Sequence, residues 1–171
     1  MKKLILLTAF LLPLIMISQT QLGADIDGEA ASDYSGWSVS MDSDGSHVAI
    51  GAYGNDGNGS YSGHVRIYSW DGSAWAQVGS DIDGEAALDS SGHSVSIDSD
   101  GSHVAIGAYL NDANGSSAGH VRIYSWDGSD WTQVGNDIDG EATSDFSGYS
   151  VSIDSDGSHV AIGAYGNDGN G

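Results

Sequence analysis

The sequence predicts an all-β protein that is built from tandem four-stranded antiparallel sheets. Among its 171 residues are 26 Gly and one Pro, with recurrent Val, Ile, Tyr and Trp, a composition typical of turn-rich β proteins. The motif "DIDGEA" begins at Asp25, Asp81 and Asp137, which sets a period of 56 residues. Asp-Gly pairs recur between short apolar segments, as expected for tight hairpins.

One unit is copied along the chain. Residues Ala24–Gly79 and Ser80–Gly135 agree at 45 of 56 positions, and a third copy follows. Copies this similar must fold alike, so the fold of the chain reduces to the fold of one unit.

Four strands are predicted within the unit. Trp37–Asp42 and His47–Tyr53 alternate large apolar with small residues, and "SDGS" between them favours a tight turn. His64–Trp70 is the third strand, and Ala74–Gly79 is the fourth after a second short turn, "DGS". The unit is therefore predicted to be an antiparallel meander.

Longer loops, 25–36 and 54–63, connect the strands at the other end of the unit. A four-stranded sheet that is apolar on both faces and repeated in tandem is typical of a β-propeller blade, which buries its faces against neighbouring blades. Small residues such as Ala49 and Gly51 would let adjacent sheets approach closely. A linear β-solenoid is the alternative, although its repeats are usually shorter.

The chain divides into five predicted segments. Residues 1–19 are predicted to be a signal peptide, because Lys2 and Lys3 precede a largely apolar run, Leu4–Ile17, that is short for a membrane span. An uncleaved membrane anchor is the alternative. The others are an orphan fourth strand with inter-blade loop (20–36), blade 1 (37–79), an inter-blade loop with blade 2 (80–135), and an inter-blade loop with half of blade 3 (136–171). This inventory predicts the N-terminal piece of a larger ring.

The charge of the chain restricts its partners. After residues 1–19, 24 acidic residues remain against Arg66 and Arg122, so the formal net charge of −20 becomes −22. Such a surface repels nucleic acids and anionic membranes and favours cationic partners. Without cysteine, disulfides and thiolate metal sites are excluded.

Three motifs resemble one known family. "SGWSV" stands where the FG-GAP repeat has Phe-Gly-x-Ser-Val, "AIGAY" where it has Val-Gly-Ala-Pro, and "GHVRIYSW" where it has Gly-x-Val-Tyr-Val-Tyr. The resemblance, to integrin α-chain propellers and bacterial secreted relatives, implies a seven-bladed extracellular propeller for adhesion or ligand binding. Calcium-binding members carry a longer first hairpin loop; here the loop with Asp42 and Asp44 is short, which favours a simple turn.

Acidic loops are the candidate calcium sites, since calcium prefers several carboxylate oxygens beside a sharp turn. The alternative is a solvated acidic rim that keeps a repetitive β protein soluble. The candidate residues are Asp25, Asp27, Glu29, Asp33, Asp56, Asp81, Asp83, Glu85, Asp89 and Asp112.

Histidines and aromatic residues recur at fixed repeat positions. His64 and Arg66 are predicted to pack between blades with their polar tips paired to loop carboxylates, because the histidine spacing matches no zinc motif. Trp37, His93 and Tyr149 occupy one repeat position and are predicted to form a partly exposed ligand contact on the acidic face.

These patterns predict an exported protein, secreted or held at the cell surface, that binds an extracellular protein or glycan with possible help from calcium. Neither nucleic acid nor membrane insertion after signal removal is expected. Identical copies offer identical environments, whereas catalysis needs asymmetry, so an enzyme is not expected. Alternatives are the non-catalytic part of a secreted propeller enzyme acting on extracellular polymers, and a purely structural repeat.

Overall fold

The computed structural model describes residues 20–169, which form three tandem antiparallel sheets without a helix. The predicted signal peptide lies outside the described residues. Among the described residues there is no helix that is long and apolar enough to cross a membrane. The predicted fold class, tandem four-stranded blades of the β-propeller type, is confirmed.

The first two sheets have the same topology. In the first, three strands pair in sequence order, and two further short strands both pair with the outer edge of the third. The second repeats this arrangement, and the described part of the third is a two-stranded hairpin. The first blade consists of β1 (Ser38–Met41), β2 (His47–Ala52), β3 (His64–Trp70), β4 (Trp75–Gln77) and β5 (Ile82–Asp83). The second consists of β6 (Ser94–Ile97), β7 (His103–Ala108), β8 (His120–Trp126), β9 (Trp131–Gln133) and β10 (Ile138–Asp139), and the third of β11 (Ser147–Ile153) and β12 (Val160–Ala164).

The outer strand differs from the prediction in one respect. Beyond the predicted end at Gly79 the chain bends and pairs again, with Ile82 opposite Val65 and Asp83 opposite His64. Burial of Ile82 against the core gives the physical reason, because a buried apolar side chain draws this short segment onto the sheet. The first half of the predicted inter-blade loop is therefore part of blade 1.

The hydrophobic core lies between the sheets. Ile67 in β3 and Ile106 in β7 are almost completely buried in one cluster that joins the first and second sheets. A second cluster, which contains Val121 and Ile153, joins the second and third sheets. Each blade thus buries its faces against its neighbour, as predicted for tandem propeller blades.

Close approach of the sheets depends on glycine, as the sequence predicted. A Cβ atom at Gly51 would overlap the carbonyl oxygen of Gly92, and one at Gly107 would overlap that of Gly148. Two serine contacts accompany each approach: the hydroxyl of Ser38 donates to the Gly92 carbonyl at 2.7 Å, and the Ile97 N–H donates to the Ser40 hydroxyl at 3.1 Å.

The segment before β1 packs without forming a strand. The indole N–H of Trp75 donates to the carbonyl oxygen of Leu22 at 3.2 Å. One repeat later the indole N–H of Trp131 donates to the carbonyl oxygen of Val78 at 2.9 Å. The predicted orphan strand therefore contacts blade 1 in the same way as the end of the outer strand of blade 1 contacts blade 2.

Candidate functional site

The long loops gather at one end of the sheets, which we call the loop face (residues 24–37, 53–63, 83–93, 109–119, 139–149 and 165–169). Eight non-glycine residues there have φ between +51° and +74°, among them Tyr34, Tyr61, Ser90 and Phe146. This left-handed conformation is unfavourable for residues with a side chain, so the surrounding loop contacts must hold it. Such strained positions are more frequent in binding loops than in plain connections.

A continuous row of rings crosses the loop face. Its successive ring centroids lie 5.0 Å (Trp37 and Tyr53), 5.9 Å (Tyr53 and His93), 4.3 Å (His93 and Tyr109), 5.5 Å (Tyr109 and Tyr149) and 4.6 Å (Tyr149 and Tyr165) apart. We call these six residues the aromatic row. Each unit contributes one ring before its first strand and one after its second strand, so the spacing of the row follows from the repeat.

The aromatic row is open to solvent. Trp37 is 57% exposed and Tyr149 is 44% exposed, while His93 between them is half-buried. Enclosure of the His93 ring by its aromatic neighbours lowers the pKa of this histidine, so the ring is neutral at pH 7. The structure thus brings the three predicted ligand-contact residues, Trp37, His93 and Tyr149, into one row.

Several predicted calcium ligands instead hold the loops in shape. Asp33 is buried and accepts a hydrogen bond from the Asn55 amide at 3.0 Å, and Asp89 does the same with Asn111 at 3.0 Å. Asp56 accepts the backbone N–H of Tyr61 at 2.8 Å. In the next unit Asp112 likewise accepts the Ser117 N–H at 2.7 Å. Asp25 accepts a hydrogen bond from the amide of Gln21 at 2.8 Å, and the backbone carbonyl of Asp27 accepts one from Arg66 at 3.2 Å.

Three of the remaining predicted carboxylates, Glu29, Asp81 and Glu85, lie beside buried histidines. The Nδ1 atom of His64 lies 3.8 Å from Glu29 Oε2 and 3.7 Å from Asp81 Oδ2. One repeat later, His120 Nδ1 lies 3.9 Å from Glu85 Oε2 and 3.7 Å from Asp137 Oδ2. We call these the first and second junction clusters, because each joins the segment entering a blade to β3 or β8 of that blade. Acidic and histidine groups that could hold a metal ion are therefore present.

Ionisable groups in and beside the junction clusters have shifted pKa values. Burial lowers the pKa of both His64 and His120, which are each only 1% exposed. Beside the first cluster, burial and then the neighbouring carboxylate of Asp81 raise the pKa of Asp83. Arg66 and Arg122 are buried next to the clusters, with Nη1 3.7 Å from Glu29 and 3.5 Å from Glu85. The predicted packing of His64 and Arg66 beside loop carboxylates is confirmed.

The opposite end of the sheets carries tight turns. His47 Nδ1 lies 2.8 Å from Asp42 Oδ2, and the N–H of Ser46 donates to both Asp42 and Asp44. Although burial opposes ionisation, the hydrogen bonds from His47 and Ser46 hold the pKa of Asp42 below its usual value. These carboxylates stabilise the turn, as predicted for the Asp-Gly pair.

Sequence reasoning missed two members of the site. Asp137 was not a candidate, although its two repeat equivalents, Asp25 and Asp81, were. The Tyr53 position, which supplies every second ring of the row, was read only as a strand end. The period of 56 residues is the signal that finds both, because a role argued for one copy applies to all.

Comparison with known proteins agrees with this architecture. Residues 20–68 match the FG-GAP repeat. The matched segment covers the N-terminal packing segment, β1, β2 and most of β3, and thus includes "SGWSV", "AIGAY" and the beginning of "GHVRIYSW". A search of curated proteins gave no match. The resemblance that the motifs indicated is confirmed: this chain carries an FG-GAP repeat at residues 20–68.

Proposed function

We propose that this chain is an exported repeat protein whose loop face binds an extracellular polymer, and that it acts as an adhesion or recognition module and not as an enzyme. The aromatic row is the observation that carries the proposal. Its rings are continuous across three units, and Trp37, Tyr149 and Tyr165 are exposed, so the row is a contiguous aromatic surface of the kind that marks interaction sites.

The chemistry of the loop face favours a ligand with flat apolar faces and positive charge. Each ring presents a face that attracts cations, and the surrounding carboxylates belong to a chain with a formal net charge of −20. Anionic polymers are repelled by the same field. A glycan that carries amino groups combines the required features, and a basic surface protein is the other partner class.

The repeat adds multivalency to this surface. Trp37, His93 and Tyr149 stand at the same position of successive units, so a ligand with repeating sugars meets equivalent contacts along the row. Several weak contacts on one chain raise the overall affinity without any single strong site.

Calcium assists this binding in our proposal. The loop face carries carboxylates outside the junction clusters, such as Asp27 on the segment that leads into the first blade and Asp83 on the segment that leads into the second. A calcium ion bound to these oxygens would fix the position of the loops that hold the aromatic row.

Binding to polysaccharides of different charge tests the proposal. Chitosan, a polymer of glucosamine, is compared with neutral cellulose and anionic alginate, in calcium and in chelator at constant ionic strength. We expect binding to chitosan that weakens with salt and with chelator. Trp37→Ala should weaken it about tenfold, since a cation over an indole contributes on the order of 1–2 kcal/mol.

A matched control separates the row from general surface effects. Val134→Ala removes another exposed apolar side chain, 48% exposed, that is not part of the row, and it should leave binding unchanged. Equal affinity of the wild type and Trp37→Ala for chitosan would remove the aromatic row as the binding surface. Binding that is equal in calcium and chelator would remove calcium from the proposal.

A further inference from the structure

The two junction clusters have the same geometry, although their residues come from different copies of the unit. In each, a glutamate precedes the blade, a histidine begins the third strand of the blade, and an aspartate lies between the two pieces of its outer strand. The four distances from histidine Nδ1 to carboxylate oxygen fall between 3.7 and 3.9 Å. These distances are too long for direct hydrogen bonds.

Each carboxylate of the second junction cluster is held by one oxygen and presents the other to the histidine. Asp137 Oδ1 accepts a hydrogen bond from the Gln133 amide at 2.6 Å, while Oδ2 faces His120. Glu85 Oε1 faces the Arg122 guanidinium at 3.5 Å, while Oε2 faces His120.

The first cluster repeats this arrangement with one addition. Gln77 donates to Asp81 Oδ1 at 2.6 Å, and Arg66 faces Glu29 Oε1 at 3.7 Å. The Asn55 amide also makes a long contact, 3.5 Å, with Glu29 Oε2. Such positioning of ligands by neighbouring groups is typical of metal sites, where outer hydrogen bonds fix each ligand.

The histidine of the second cluster has an unused nitrogen. His120 is 1% exposed, and its Nδ1 atom is buried without a hydrogen-bond partner among residues 20–169. A buried polar atom without a partner destabilises the fold, so a native structure rarely leaves one without a purpose. This atom points at the two free carboxylate oxygens, Glu85 Oε2 and Asp137 Oδ2.

The donor set identifies the class of cation. Calcium and magnesium prefer oxygen ligands alone, whereas one imidazole with two carboxylates suits zinc and similar transition ions. Ligand atoms about 2.0–2.2 Å from a tetrahedral zinc ion are roughly 3.3–3.6 Å apart, so a small contraction of the cluster would bring the three atoms into place. Water from the half-exposed carboxylate side would complete the coordination.

We propose that each junction cluster binds one divalent transition cation of the zinc class, through Glu29, His64 and Asp81 in the first and Glu85, His120 and Asp137 in the second. The ion ties the segment entering a blade to that blade, and so fixes the blade junction. This site is independent of the aromatic row and goes beyond the proposed binding function.

Titration of the full chain with zinc chloride tests the proposal. Isothermal calorimetry should give two zinc ions per chain, and calcium chloride at the same concentrations should not displace them. Glu29→Gln and Glu85→Gln should each weaken one of the two sites at least tenfold. Both glutamates are nearly half exposed, so neither change threatens folding.

The third copy supplies the matched control. Glu141 is the repeat equivalent of Glu29 and Glu85, and it approaches Asn167 at 3.4 Å but belongs to none of the acidic and histidine groups that could hold a metal ion within residues 20–169. Glu141→Gln removes the same charge and should leave both zinc sites unchanged. Zinc should also shift the imidazole NMR signals of His64 and His120 and leave those of His93 in place.

Two results would overturn the proposal. One is the absence of zinc binding to the wild type, and the other is a stoichiometry and affinity that Glu29→Gln, Glu85→Gln and Glu141→Gln change equally, which indicates diffuse attraction to an acidic surface. Neither result bears on the aromatic row, because chitosan binding is measured without zinc.

Discussion

At the scale of single residues, His93 makes the stability of the loop face depend on pH. Burial between rings lowers the pKa of His93 below the ordinary histidine value of 6.5 in the folded chain. The unfolded chain therefore binds the proton more readily, so folding stability from this group is complete above pH 6.5 and is lost as the pH falls toward the folded pKa. We expect the melting temperature to fall between pH 7.5 and 5.

The repeat provides the variant that isolates this effect. The third unit has a tyrosine, Tyr149, at this repeat position. His93→Tyr therefore keeps an aromatic ring in the row but removes the group that titrates between pH 5 and 7.5. The fall in melting temperature between pH 7.5 and 5 should be smaller in this variant than in the wild type. Identical pH profiles would show that His93 ionises equally well in the folded and unfolded chain.

At the scale of strands, the glycine in β2 and β7 sets the distance between blades. Gly51→Ala places a methyl group against the Gly92 carbonyl oxygen, and because this neighbour is backbone of the next blade, little room is left for adjustment. Overpacking of this kind costs about 1–3 kcal/mol. Urea unfolding of the variant should show a loss of this size.

Gly163 in β12 is the matched control for Gly51. A Cβ atom there would meet the movable hydroxyl of Ser150 but no carbonyl of another blade within the described residues. Gly163→Ala should therefore cost clearly less than Gly51→Ala. Equal losses would mean that the serine contact inside each blade, and not the approach of the next blade, determines the cost.

The strands were predicted from sequence more completely than the site. Apolar alternation and Asp-Gly turns placed β1 to β4 within two residues of their observed bounds, because both signals are local. The pairing of β5 was missed, since two residues carry no usable period and their pairing depends on burial of Ile82 in the core. The junction clusters were only half anticipated. Glu29, Asp81 and Glu85 were candidates, and His64 was expected to lie beside loop carboxylates, but Asp137 was missed, and which carboxylates meet each histidine depends on three distant segments.

At the scale of the whole molecule, the strands of different units that pack closely within residues 20–169 belong to neighbouring units. The first strand of one blade is linked to that of the next by repeated hydrogen bonds, such as Ile97 N–H to the Ser40 hydroxyl and Ile153 N–H to the Ser96 hydroxyl. Stability in such an array is approximately a sum of unit terms and nearest-neighbour terms. A change at one junction should then affect the units on either side of it and no others.

Ser96→Ala tests this nearest-neighbour character. The substitution leaves the Ile153 N–H without its acceptor at the second junction, which costs roughly 1–3 kcal/mol. Hydrogen exchange measured by mass spectrometry should show about tenfold faster exchange or more for amides of β11 and β12, while β2 and β3 keep their protection. Ser152→Ala is the control, because within the described chain the hydroxyl of Ser152 accepts no bond from another unit. Equally faster exchange in all three units would show that the array unfolds as one cooperative body, since a local loss would then be shared by every blade.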